Sequence, residues 1–180
     1  AAVLGGTLVP WSLLRFYGGR DVRLSFESRD PAPSWWDRVP LPVLALVALI
    51  CLGIVALHLA TLLDGAFPVF GSLATGHAGL ALIGLSSLCL TGLVWGLLGL
   101  RRWAWWGALT FVGLLGTSVI TTFVPLSWAT LLSRMPFPPT EIDFLEGLPF
   151  NGAVVAAAIW MPLLVALALL GASRRHFLSP

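Results

Sequence analysis

Apolar residues run along the chain in four long stretches, Pro40–Leu63, His77–Leu100, Trp103–Leu126 and Gly152–Ala172. Each reaches the ~20 residues that a helix needs to cross the hydrocarbon of a bilayer. None has an Asp, Glu, Arg or Lys in its interior. The apolar positions go all the way round each helix, with no polar face at helical spacing. A soluble bundle would need one polar face per helix, which these stretches lack. The pattern therefore predicts an all-α, polytopic integral membrane protein with four full transmembrane helices joined by short loops.

A fifth apolar piece opens the chain. Residues 1–14, AAVLGGTLVPWSLL, would make only about 21 Å of helix at 1.5 Å per residue. They also lack the charged start of a signal peptide. The segment is expected to be a partial N-terminal transmembrane helix or an interfacial one, with RFYGGR as its stop at the inner face. Residues 15–39 follow as a linker. In it Val22, Leu24 and Phe26 alternate with polar residues as in a short strand, and Pro31 and Pro33 then break regular structure. Its five arginines are diluted by four acids, so a salt-bridged surface fits better than a polybasic lipid site.

The charges orient the chain. Arg15, Arg20, Arg23, Arg29 and Arg38 precede the first span, Arg101 and Arg102 separate the second from the third, and Arg174 and Arg175 follow the last. The remaining loops, 64–76 and 127–151, hold Arg134 alone and the acids Asp64, Glu141, Asp143 and Glu146. By the positive-inside rule the arginine-rich loops, the linker 15–39 and the tail 173–180 are cytoplasmic. Trp103, Trp105 and Trp106 sit beside Arg101 and Arg102 as headgroup anchors, with Trp35 and Trp36 in the same inner belt and Trp128 in the outer one. This arrangement of arginine–tryptophan stops is common among multi-pass bacterial inner-membrane proteins, which sets the expected location without supplying a motif. In the loop 127–151, Thr140 as N-cap and acids in the first turn predict a short helix over Glu141–Glu146, with Ile142 and Leu145 toward the membrane.

Composition narrows the chemistry. The chain of 180 residues is 58% hydrophobic and 10% charged, where a soluble domain carries about 25% charged residues. The net charge of +2 gives no reason to expect a nucleic-acid partner. Cys51 and Cys89 each lie inside a span, so no disulfide framework or CxxC motif exists. The acids of loop 127–151 lack His or Cys partners and the spacing of a calcium loop, so no metal site is expected there. No catalytic triad, HExxH motif or phosphate-binding loop is present, and the chain is not expected to be an enzyme. Transport chemistry would need an acid or a broken helix at mid-membrane; Pro125 and Pro162 have no charge beside them.

Two features remain. His58 and His77 lie near the same end of adjacent spans, and a neutral imidazole is an axial ligand for haem or a chlorophyll-type pigment. They differ by about two turns of rise, and no polar group is clearly placed to orient either ring. Gly92 and Gly96 form a GxxxG helix-packing motif, with further small residues at Gly113, Gly116, Ala153 and Ala157. The economical expectation is a non-catalytic structural or accessory subunit of a larger, energy-transducing membrane complex, respiratory or photosynthetic. Its partners would be other integral membrane subunits and lipids, with no cofactor of its own. The alternatives are a haem- or (bacterio)chlorophyll-binding subunit using His58 or His77, and a small transporter or channel.

Overall fold

The computed structural model describes residues 38–133 and 150–178, together with Phe137, Ile142, Leu145 and Gly147. The chain divides into two units, Ala1–Arg38 and Val39–Pro180. Apart from Arg38, the described residues belong to the second. The partial helix over residues 1–14, the strand near Val22 and the anchors Trp35 and Trp36 lie outside them. So does the helix over Glu141–Glu146, except for Ile142 and Leu145, which are helical and half-buried.

Four long helices account for the four apolar stretches. Helix α1 (Leu41–Leu59) starts with a proline in its first turn, where a missing N–H costs nothing, and tightens into a 3-10 turn at Ala60–Leu63. Helix α2 (Gly76–Leu98) runs back, and α3 (Arg102–Phe123) returns. A short α4 (Trp128–Leu132) is capped by Ser127, whose hydroxyl accepts from the Thr130 N–H at 3.2 Å. Helix α5 (Gly152–Leu178) closes the described fold and contains Pro162. All four long helices are long and apolar enough to cross a membrane.

The boundaries depart from the expected ones in two places. Helix α3 stops at Phe123 rather than Leu126: Val124 still has helical angles (φ −60°, ψ −42°) and donates to the Ile120 carbonyl, but Pro125 has no N–H to continue the ladder. Helix α5 continues through Arg174 and Arg175 to Leu178, so most of the expected tail is helix. Leu170, Ser173 and Phe177 are all buried at helical spacing, and this inward stripe carries the helix past its apolar stretch.

The loop 64–76 is the larger departure from an all-helical chain. It folds into an antiparallel hairpin of β1 (Phe67–Val69) and β2 (Ser72–Ala74), with Phe67 opposite Ala74 and Val69 opposite Ser72. Phe70 and Gly71 form the two-residue turn, both with positive φ (36° and 93°). A left-handed pair of this kind matches the right-handed twist of hairpin strands.

The helices alternate in direction and are neighbours in the cyclic order α1, α2, α3, α5. Helix α3 buries the largest share of its length. Its seam with α5 keeps one antiparallel register: Trp105 meets Leu170, Gly116 meets Trp160, and Phe123 meets Gly152. At the α2–α3 turn, Arg101 N–H donates to the Gly96 carbonyl and Leu100 N–H to the Leu97 carbonyl, with Leu100 left-handed at φ 50°. This is a Schellman ending that closes α2 in three residues. Arg101 lies over the Trp95 ring, 4.3 Å from its centroid.

The packed core has two parts. One lies toward the Arg101 end and joins Val43 and Leu46 of α1, Leu97 of α2, Trp105 of α3 and Leu170 of α5. The other, at the hairpin end, joins Val119, Phe123, Leu131 and Ala156.

Candidate functional site

His58 stands on the exposed face of α1, two residues before the 3-10 turn begins at Ala60. Its Nδ1–H donates to the Ile54 carbonyl at 2.8 Å, four residues back. The carbonyl only accepts, so the proton is on Nδ1 and the Nε2 lone pair is left available. An orienting group therefore exists, contrary to the expectation from the sequence, and it is the helix backbone itself. His77 is exposed in the first turn of α2. Cys51 and Cys89 are exposed, free thiols on α1 and α2. Among the described residues no three His, Cys, Asp or Glu side chains gather into a metal-binding group.

The tryptophans separate by role. Trp103 and Trp106 are half exposed, as headgroup anchors would be. Trp105 is 6% exposed and donates its Nε1–H to the Leu170 carbonyl of α5 at 3.0 Å. Within the chain it packs as a core residue rather than as an outward ring, because the rotation of α3 that buries Ala104 and Ala108 also turns Trp105 inward. Trp106 meets it edge-on, with ring centroids 4.9 Å apart. Trp128 is half-buried, donates to the Leu145 carbonyl at 2.9 Å and packs edge-on against Phe150.

The two glycines of the GxxxG motif also part company. A Cβ at Gly96 would lie 2.6 Å from Ala104 Cβ and 2.7 Å from the Trp103 ring, so this glycine admits α3. A Cβ at Gly92 would meet nothing within 4 Å, and the same holds at Gly84. That face of α2 makes no contact within the chain at these positions.

No family model, curated protein or solved structure matches this chain. Its function has to be argued from its own side chains.

The hairpin is held by two hydroxyls that a reading of the sequence does not single out. Ser118 Oγ donates to the Pro68 carbonyl (2.7 Å) and accepts from the Phe70 N–H (3.0 Å). Thr122 Oγ1 accepts from the Gly71 N–H (3.0 Å) and donates to the Ser72 carbonyl (3.3 Å). Both hydroxyls are buried on α3, one helical turn apart. Ser118 lies five residues before the end of α3, about 7.5 Å along its axis. These hydroxyls pair four polar groups of non-helical backbone, the pairing that such backbone needs wherever water is excluded. At the other end of the hairpin the chain packs through glycines. A Cβ at Gly79 would overlap the Gly65 carbonyl, and Gly65 and Gly76 both adopt positive φ (70° and 61°).

Under the base of the hairpin lies a cavity of about 440 Å³. It runs between α1 with its 3-10 turn from Leu49 to Leu63, Leu90 of α2, α3 from Phe111 to Phe123 and α5 from Val155 to Ala166, with Ala66, Phe67 and Pro68 as its roof. Every lining residue is Leu, Ile, Val, Phe, Ala, Pro or Gly. The cavity is not enclosed, since Leu52, Ala56 and Pro162 on its lining are exposed. Water does not fill it well, because a buried water needs two to four polar partners.

Proposed function

We propose that this chain is a multi-pass membrane protein serving as a non-catalytic structural or accessory subunit of a larger assembly. The proposed setting is an energy-transducing complex of a bacterial inner membrane, with the arginine-rich loops cytoplasmic and other integral membrane subunits as partners. The observation that carries the reading is the outward face of α2, where Gly84 and Gly92 leave open space beside them. Small residues let a helix of another subunit approach closely, and nothing within 4 Å of these positions uses them inside the chain. Gly92→Leu meets no clash within the protein, so it tests association apart from folding. Purification in a mild detergent should yield the wild type with partner subunits and Gly92→Leu without them, at equal helicity. A wild type that runs alone, or an unchanged complex mass in Gly92→Leu, would refute the proposal. Sidedness is tested by single-cysteine labelling in intact cells: residue 64 should react from outside and residue 101 should not.

One observation favours a second reading. His58 has its Nδ1–H engaged by a carbonyl and its Nε2 available on an exposed helix face, which is how an axial imidazole ligand is held. The pigment- or haem-binding reading predicts a visible absorption band in the purified protein that His58→Ala removes. A colourless wild type rules it out.

A further inference from the structure

We propose that the cavity beneath the hairpin is a binding slot for one acyl chain of a phospholipid from the leaflet on the hairpin side. The inference rests on the membrane reading above, and it concerns a site rather than a partner. Its dimensions select the occupant. The lining covers fourteen residues of rise on α1 and eleven on α5, so the slot is about 17–21 Å long. A leaflet's share of the bilayer hydrocarbon is about 15 Å deep, so the slot runs through one leaflet. An apolar cavity of about 150 Å³ takes the six carbons of benzene, so about 440 Å³ takes on the order of eighteen, as in one acyl chain. A further helix of that length would bring several times as many atoms, and the lining offers no axial ligand to a tetrapyrrole.

Chemistry agrees with shape. The lining offers no hydroxyl, amide or charge to hold a polar ligand. Leu52 and Ala56 of α1 and Pro162 of α5 are exposed on the lining, so the slot opens between these two helices and a chain can enter laterally. Gly53 marks its wall on α1: a Cβ there would meet nothing within 4 Å, which makes it the natural place to fill the slot from within. Pro162 of α5 lies on the lining, whereas the facing residues 49–63 of α1 and its 3-10 turn include no proline. A proline inside a helix removes one backbone hydrogen bond, and here its ring adds to the apolar wall.

Native mass spectrometry tests the assignment. The full chain is reconstituted into vesicles of palmitoyl-oleoyl phosphatidylglycerol, re-extracted in mild detergent and weighed. The wild type should retain one phospholipid per chain. Gly53→Phe, which fills the slot, should lower that occupancy at least ten-fold. Gly171→Phe, which adds the same ring at an open position of α5 beyond the slot, should retain it. If Gly53→Phe does not fold, Ala56→Phe, one turn nearer the roof, takes its place. A wild type without the adduct, an adduct of another class such as an isoprenoid, or equal occupancy in wild type and filled variants would overturn the proposal. Failure of the chain to stay in alkali-washed membranes would instead overturn the membrane reading, so the two failures are distinguishable.

Discussion

Removing the Ser118 hydroxyl should release the hairpin from α3. Ser118→Ala deletes two hydrogen bonds at once, from Oγ to the Pro68 carbonyl and from the Phe70 N–H to Oγ. If the hairpin stayed in place, a backbone donor and a backbone acceptor would be left without partners, at ~1–3 kcal/mol each. The chain has a cheaper response, which is to let the turn lift away so that Phe70 and Pro68 find other partners. The cost is then capped near the net worth of the two bonds, about 1–3 kcal/mol. At 1.4 kcal/mol per factor of ten this raises the opening equilibrium of the turn by roughly 5- to 150-fold. Hydrogen exchange at the Phe70 and Gly71 amides reads that equilibrium directly. Thr122→Val, which keeps the volume of a fully buried side chain, should act in the same direction through Gly71 and Ser72. The double variant should fall short of the summed effects, because both hydroxyls hold the same turn. Amides in the middle of α5 serve as the reference and should not change. Unaltered exchange at Phe70 and Gly71 in the double variant, or a rise shared equally by α5, would refute the reasoning.

Two further substitutions test the glycine contacts. Gly79→Ala would drive a Cβ into the Gly65 carbonyl and should destabilise the fold by at least ~1–3 kcal/mol in denaturant titration, whereas Gly84→Ala has open space and should gain about 0.5–1 kcal/mol of helix propensity. Gly96→Leu should lower the yield of folded protein, because Ala104 and Trp103 already occupy the space, while Gly92→Leu leaves the isolated chain at least as stable as wild type; equal yields of the two would contradict the packing described.

The four long apolar helices are legible in the sequence because an apolar stretch of about 20 residues without a charge has few other uses. What the sequence hides depends on contacts between distant residues. The hairpin is hidden because its turn is Phe-Gly, with a bulky residue in a left-handed conformation, rather than the Asn-Gly pair that announces such a turn. Its support comes from hydroxyls about fifty residues away. Ser118 and Thr122, four apart on one helix face, are the available signal, but Ser and Thr in membrane helices commonly bond to their own backbone, as Thr117 does to the Gly113 carbonyl. The glycine pair diverges because four residues advance a helix by about 40° beyond a full turn and one turn away from the tight α2–α3 connection. His58 stands out in the sequence, yet its orienting carbonyl does not, because it belongs to the preceding turn of the same helix.

Trp105 shows how far residue type leaves position open, and it can be tested. Three tryptophans follow two arginines, all suited to a headgroup region, and the sequence does not say which of them turns inward. The answer is set by α5, whose Leu170 carbonyl receives both the Trp105 Nε1–H and the Ser173 hydroxyl. Trp105→Ala empties a core position and should cost about 3–5 kcal/mol. Trp105→Phe keeps most of the ring and loses one hydrogen bond, and Leu170 keeps its Ser173 donor, so no acceptor is orphaned. The hydrogen-bond part of that loss should stay within ~0.5–1.5 kcal/mol. Trp106→Ala removes a ring that is 54% exposed and should cost clearly less than Trp105→Ala. Denaturant titration of the three variants in one detergent ranks them. If Trp105→Ala and Trp106→Ala proved equally mild, Trp105 would be an interfacial anchor after all, and the register that joins α3 to α5 at that end would be wrong.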